Sequence, residues 1–150
     1  MEIYRTFRQD FPNGMNDIIT VPIEADGNCQ FSALGFHLDE SSDQVRYTVC
    51  QELELFSDEY KCFIDCPFNE YIVRLRNDKE WGDNITLQAA AKAYNISIIV
   101  FIKLDGKVFI SRINDISTTV QKIYLLFENN HYDTIEIRKT EMVSEIVSSD

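Results

Sequence analysis

Asp26-Gly27-Asn28-Cys29-Gln30-Phe31 joins a β-like run, Ile18-Ile19-Thr20-Val21-Pro22-Ile23, to an apolar helical pattern carried by Phe31, Leu34 and Leu38. The arrangement predicts that Cys29 opens a helix. At a helix amino terminus the first amide N–H groups lack partners and the macrodipole carries about half a positive charge, so a thiolate there is favoured over a thiol. The same amides can receive an oxyanion during acyl transfer. Gly27 suits a sharp turn and a close approach of a substrate chain. The same six residues also read as a common Asp-Gly turn followed by a small buried cysteine. Residues elsewhere in the chain decide between the two.

At 150 residues, with 45% hydrophobic and 26% charged side chains, the chain reads as one globular domain. A domain of that size buries roughly 68–70% of its unfolded surface and needs no disulfide or metal staple. Fourteen basic against 25 acidic residues leave a net charge of −11. Nucleic acid is therefore a poor partner, whereas a basic protein or basic peptide tail would be drawn in. Cys29, Cys50, Cys62 and Cys66 follow no disulfide framework, and Met1-Glu2-Ile3-Tyr4-Arg5 shows no signal-peptide pattern, so a reducing, intracellular compartment is expected. Cys62 and Cys66 lie four apart and could share a helix face. Structural zinc wants four ligands, and only His37 and His131 remain to help, so no metal is expected. No apolar run approaches the roughly 20 residues that span a bilayer.

Residues 1–17, with a turn at Phe11-Pro12-Asn13-Gly14, read as a lead-in or binding segment. Ser41 with Gln44 resembles a capping box opening a second helix through about Phe56, with Val45, Val49, Leu53 and Phe56 as its apolar stripe. Arg46 lies off that stripe, either solvated or reaching a carboxylate. Residues 57–80 read as helical but broken at Pro67, with an aromatic density from Tyr60, Phe63, Phe68 and Tyr71 that serves the core or a docking surface. Trp81-Gly82-Asp83-Asn84 is a turn, and Thr86 to Tyr94 is an alanine-rich helix ended by Asn95. From Ile96 the period changes to strands: Ile96–Ile102, a hairpin turn at Asp105-Gly106, Val108–Ile113, Gln121–Phe127 and Tyr132–Arg138. Helices early and strands late make an α+β pattern, with one sheet packed on the helices and a core over about 18–138. The acidic, serine-rich end from Thr140 to Asp150 reads as a tail prone to fray.

His131 stands where a short loop enters a strand, and Asp133, two residues on, points to the same strand face. A carboxylate there can hold one imidazole nitrogen and leave the other to take the cysteine proton. The 102 residues between Cys29 and His131 matter little, because such triads are defined by spatial roles.

Asp26-Gly27-Asn28-Cys29-Gln30-Phe31, then Trp81-Gly82-Asp83 with Thr86-Leu87-Gln88-Ala89, then His131-Tyr132-Asp133 together resemble the ovarian-tumour (OTU) family of cysteine deubiquitinases. The resemblance covers roughly residues 18–138. It implies a papain-like α+β fold, helices packed on a mainly antiparallel central sheet, and hydrolysis of the bond after the C-terminal glycine of ubiquitin or a ubiquitin-like modifier, without metal or cofactor. It further implies Cys29 as nucleophile, His131 as general base, Asp133 as the residue orienting it, and Asp26 as the aspartate of a loop whose backbone helps form the oxyanion hole. Trp81 matches a structural block, expected to pack near the active site. The implied partners are ubiquitin or polyubiquitin, with no nucleic acid and no membrane, acting on a monomeric enzyme. The compact length resembles viral and bacterial-effector members, which would place it in a host cytoplasm. Two other readings stay open: a catalytically silent ubiquitin-binding module of the same fold, and a papain-like peptidase or acyltransferase with another substrate.

Overall fold

Residues Ile96 to Phe101 are buried without a break, the signature of a strand covered on both faces. This strand, β2 (Ile96–Leu104), belongs to a five-stranded sheet in the computed structural model, which describes residues 16–115 and 120–139. The lead-in and the tail expected from the sequence, with the Phe11–Gly14 turn, fall almost wholly outside the described residues. The other strands are β1 (Asn16–Val21), β3 (Lys107–Ile113), β4 (Gln121–Glu128) and β5 (His131–Lys139), in spatial order β1-β5-β4-β2-β3.

Three of the neighbouring pairs are antiparallel, β1 with β5, β5 with β4 and β2 with β3. β2 and β4 run parallel, with Ile96 opposite Gln121 and Ile102 opposite Phe127. The mainly antiparallel sheet expected from the resemblance is therefore mixed at its centre. This pairing sends both two-residue hairpin tips to the same end of the sheet. Asp105 (φ 52°) with Gly106 (φ 74°) and Asn129 (φ 54°) with Asn130 (φ 60°) adopt left-handed backbone at both positions, the type I′ geometry that matches strand twist. The second tip delivers His131.

The helices cover one face of the sheet. They are α1 (Cys29–Leu38), α2 (Ser42–Leu55), α3 (Ser57–Tyr60), α4 (Phe68–Leu75) and α5 (Asn84–Tyr94), with a 3₁₀ turn at Lys61–Phe63. Phe31 and Leu34 of α1, Val45, Val49 and Leu53 of α2, and Ala89 to Ala91 of α5 form the main core with Ile98, Val100, Ile123 and Leu125 of the sheet. Ile99, Phe101, Tyr124, Leu126 and Ile135 point to the opposite face as a smaller cluster. The alternation along β2 and β4 makes that division.

Four local expectations need correction. α2 is capped as expected, with Ser41 Oγ accepting the Gln44 N–H at 3.1 Å. The reciprocal half of the box is missing, because the Gln44 side chain reaches Thr48 instead. Phe56 leaves the apolar stripe and is 49% exposed, since the helix ends at Leu55 and Phe56 turns away as its C-cap (φ −119°, ψ 39°). Arg46 is only 4% exposed, so it is neither solvated nor hydrogen-bonded to a carboxylate. Before Pro67 the chain is a short helix and a 3₁₀ turn, leaving Phe63 on the surface, Cys62 exposed and Cys66 in a bend beyond any helix. Tyr60 and Tyr71 join the core as expected.

The last turn of α1 carries His37, whose buried Nε2 has no hydrogen-bond partner among the described residues. Burial pushes this imidazole below its ordinary value, against the opposing pull of the Glu136 carboxylate on β5. The neutral form is favoured in the fold, so the stability His37 contributes is present above about pH 6.5 and is lost as the pH falls. Thermal melts should therefore show a lower Tm near pH 5 than near pH 7.5, and His37→Gln should narrow that gap. An unchanged gap in the variant would place the acid sensitivity elsewhere.

Candidate active site

Cys29 is the first residue of α1, and its sulfur accepts a hydrogen bond from the Tyr132 N–H at 3.5 Å. The thiol thus sits between a helix amino terminus and the backbone of the residue that follows His131. Both donate partial positive charge, the environment in which a developing thiolate is stabilised. His131 and Asp133 meet on one strand face, Nε2 lying 2.8 Å from Asp133 Oδ1. With the carboxylate accepting from Nε2–H, Nδ1 is left as the basic nitrogen. The sequence reading placed these two residues together, and the strand period explains it.

A further partner was not legible in the sequence. Asp133 Oδ1 also accepts the Ile23 N–H at 2.8 Å. β1 stops at Val21, two residues short of the expected strand, and the chain beyond it offers the Ile23 amide to the carboxylate instead of to a ladder. One oxygen is therefore held by a rigid backbone donor while it holds the imidazole. The signal was the strand end before Pro22-Ile23, which says nothing about a partner 110 residues away.

Asp26 does not touch His131. Its Oδ1 accepts the Asn28 N–H at 3.0 Å, closing the turn before Cys29. That bond occupies the Asn28 amide, and the Asp26 amide is spent on the Glu24 carbonyl. Gly27 takes φ +87°, and a Cβ there would lie 2.5 Å from the Lys79 carbonyl oxygen, so glycine is required by both conformation and space. The Cys29 N–H is the first of α1 and has no intrahelical acceptor.

Gln30, next to Cys29, is buried. Its Nε2 donates to the Asp83 carbonyl at 3.1 Å and its Oε1 accepts from Thr86 Oγ1 at 2.6 Å. Asp83 is the N-cap of α5, which starts two residues earlier than expected. Its Oδ1 accepts the Thr86 N–H at 2.9 Å while Thr86 Oγ1 accepts the Asp83 N–H, a reciprocal capping box with threonine in place of the usual acid. The other carboxylate oxygen accepts the Tyr71 hydroxyl at 2.8 Å. Burial and the adjacent Asp83 charge hold that phenol far above its ordinary range, so it remains a donor.

The thiol opens onto a cleft of about 230 Å³ lined by Gly27, Cys29 and Gln30 on one side, Trp81, Gly82 and Asp83 on another, and Phe127, Asn130 and Tyr132 on a third. Tyr132 packs against Phe127 in a tilted arrangement, with ring centroids 4.6 Å apart and planes at 45°. Trp81 does lie at the site, but it is 63% exposed on the cleft rim and not packed beneath it. Among the described residues no cluster of His, Cys, Asp and Glu could hold a metal ion, and no helix is long and apolar enough to cross a membrane.

The fold, helices laid on one face of a mixed five-stranded sheet, is papain-like. The profile of the OTU-like cysteine proteases matches residues 24–137, and the chain belongs to that family. It is 31% identical over 136 residues to the OVARIAN TUMOR DOMAIN-containing deubiquitinating enzyme 10 of Arabidopsis thaliana, covering 88% of this chain and 38% of that protein. It is 39% identical over 84 residues, 52% of this chain and 12% of that one, to a putative ubiquitin thioesterase of Invertebrate iridescent virus 6. The plant relatives it matches extend well beyond the shared region, this chain spanning 34–53% of three of them. Among solved structures, the OTUD1 OTU domain superposes with a TM-score of 0.76 at 19% identity, covering 90% of this chain and 92% of that one. An OTU domain in complex with ubiquitin gives 0.70 at 22% identity, over 83% and 74% of the two chains.

Asp83→Ala removes the α5 cap and the acceptor of the Tyr71 hydroxyl together. It should lower unfolding stability by about 1–3 kcal/mol in a denaturant titration. Asp83→Asn, which keeps an acceptor for the cap, should cost less; equal losses would show that the negative charge itself, not the cap, carries the effect.

Proposed function

We propose that the chain is a cysteine deubiquitinase that hydrolyses the isopeptide bond after the C-terminal glycine of ubiquitin. The observation that carries the reading is Cys29 at the head of α1, hydrogen-bonded by the strand residue that separates His131 from Asp133. Relatives named as deubiquitinating enzymes and OTU domains solved in complex with ubiquitin support the choice of substrate.

His131, oriented by Asp133, takes the Cys29 proton at Nδ1, and the sulfur attacks the glycine carbonyl. The negative charge passes to the carbonyl oxygen, for which the Gly27 and Cys29 amides are the candidate donors, since Asn28 and Asp26 are already engaged. The imidazolium then protonates the departing lysine amine, leaving a thioester. Water, deprotonated by the same imidazole, hydrolyses it and regenerates the thiol. Asp26 acts in this scheme through the loop and not on the proton.

The cleft also fits the tail. Ubiquitin ends in two glycines preceded by basic residues, and an opening of about 230 Å³ walled by Trp81, Phe127 and Tyr132 suits a chain without side chains at the scissile end. Asp83 in the wall and the net charge of −11 favour a basic tail. The same features would admit ubiquitin-like modifiers with a Gly-Gly end. Four free thiols fit a reducing, intracellular setting.

Mixing the protein with ubiquitin bearing a C-terminal electrophile should add the mass of one ubiquitin to the wild type and none to Cys29→Ala. A wild type that stays unlabelled while folded would refute the reading. With a cleavable ubiquitin amide, His131→Ala should lower kcat/KM by about 1,000-fold or more and Asp133→Ala by less. Equal or reversed losses would move the orienting role to another acid.

A further inference from the structure

The residues on either side of the nucleophile meet at one buried cation. Arg46, on α2, donates from one guanidinium nitrogen to the Leu75 carbonyl at 2.6 Å. From the other it donates to the Glu80 carbonyl at 2.8 Å and to the Asn28 side-chain oxygen at 2.6 Å. Its central carbon lies 4.3 Å above the centroid of the Phe31 ring. Asn28 precedes Cys29 by one residue and Phe31 follows it by two. The guanidinium therefore grips both flanks of the nucleophile without touching the thiol.

Asn28 passes the restraint on. Its Oδ1 also accepts the Lys79 N–H at 2.9 Å, and its Nδ2 donates to Asp78 Oδ1 at 2.9 Å. Lys79 holds φ +71°, an uncommon conformation for a side chain of its size, which brings its carbonyl against Gly27. The turn at residues 26–28 is thus seated on the 75–80 segment by the arginine and the asparagine together. Removing either partner would leave buried polar groups unmatched and free the turn to shift.

We propose that Arg46 is a positioning residue of the acyl-transfer step: through Asn28 and Phe31 it sets the direction of the Gly27 and Cys29 amides that receive the oxyanion. A lysine cannot replace it, because three acceptors arranged around a planar fork require two donor nitrogens, not one ammonium. The inference rests on the cysteine-protease chemistry proposed above but not on ubiquitin as substrate.

The test compares two reactions of Cys29, each followed by mass spectrometry of the Cys29 peptide. With p-nitrophenyl acetate the sulfur–carbon bond forms through a tetrahedral oxyanion and p-nitrophenolate leaves. With iodoacetamide the sulfur displaces iodide and no oxyanion arises. Arg46→Lys should slow acylation by about 10- to 100-fold and leave alkylation within about twofold. On a ubiquitin amide the loss should fall on kcat, with KM within about twofold. Asn28→Ala, which keeps the arginine and its two carbonyl contacts, should show the same split, and the double variant should be no slower than the worse single one.

Unchanged acylation in a folded Arg46→Lys or Asn28→Ala protein would overturn the proposal. So would acylation and alkylation falling in step, which is the mark of general loosening. Should Arg46→Lys fail to fold by circular dichroism, Asn28→Ala decides alone by the same criterion. A wild type acylated at Cys29 yet inert toward ubiquitin would refute the deubiquitinase reading and leave this one standing.

Discussion

The turn that presents Cys29 is held from both sides by buried polar side chains. Asn28 is fixed by Arg46, Lys79 and Asp78, and Gln30 by Asp83 and Thr86. Each is an amide able to donate and accept at once, so each can bridge two segments that lack side-chain complementarity of their own. The reactive residue between them needs no contacts with the core to be located. It inherits its position from its neighbours, which leaves its sulfur free for a cleft and a backbone donor. In a low-dielectric setting such bonds are strong when complete and costly when broken, so the loop has essentially one arrangement.

The other half of the site depends on sheet order. β5 lies between β1 and β4, and its first residue emerges from a type I′ turn beside the amino terminus of α1. The pairing with β4 sets the height of His131, with Glu128 as its register partner. The chain just beyond β1 supplies the Ile23 amide to Asp133. Histidine and aspartate thus come from one strand, the amide that anchors the aspartate from the segment leaving its neighbour, and the cysteine from a helix laid across the sheet. Rigid elements on both sides suit a reaction in which small displacements are expensive.

Charge is distributed to match. Asp83 lines the cleft while its two carboxylate oxygens are committed to the cap of α5 and to Tyr71. One carboxylate therefore caps a helix and holds a core phenol at the edge of the site. Arg46, by contrast, is buried; two backbone carbonyls, the Asn28 side-chain oxygen and the Phe31 ring meet its guanidinium, with the carboxylates of Asp78, Asp43 and Glu80 near enough to act on its charge.

Much of this architecture could be read locally. The helix starts at Cys29 and Ser42, the hairpin at Asp105-Gly106, the short loop before His131, the alanine-rich helix and the His131/Asp133 pair all depend on residues within a few positions of one another, where backbone period and turn chemistry act directly. Some corrections are local all the same, as where α2 stops at Leu55 and where a short helix and a 3₁₀ turn precede Pro67; the others fell where that range was exceeded. Arg46 looked like a surface residue because arginine is costly to bury unless acceptors await it, and its acceptors stand at positions 28, 75 and 80. Trp81 looked like packing because nothing local shows that it lies on a cleft rim. By itself, then, the sequence determined most of the elements and the family, and offered Cys29, His131 and Asp133 as candidates for acyl transfer. Only the tertiary structure decided that β2 and β4 run parallel, that Ile23 anchors Asp133, and that a buried guanidinium holds the residues flanking Cys29, because the burial and pairing of polar groups are properties of distant segments brought together and not of any one stretch of chain.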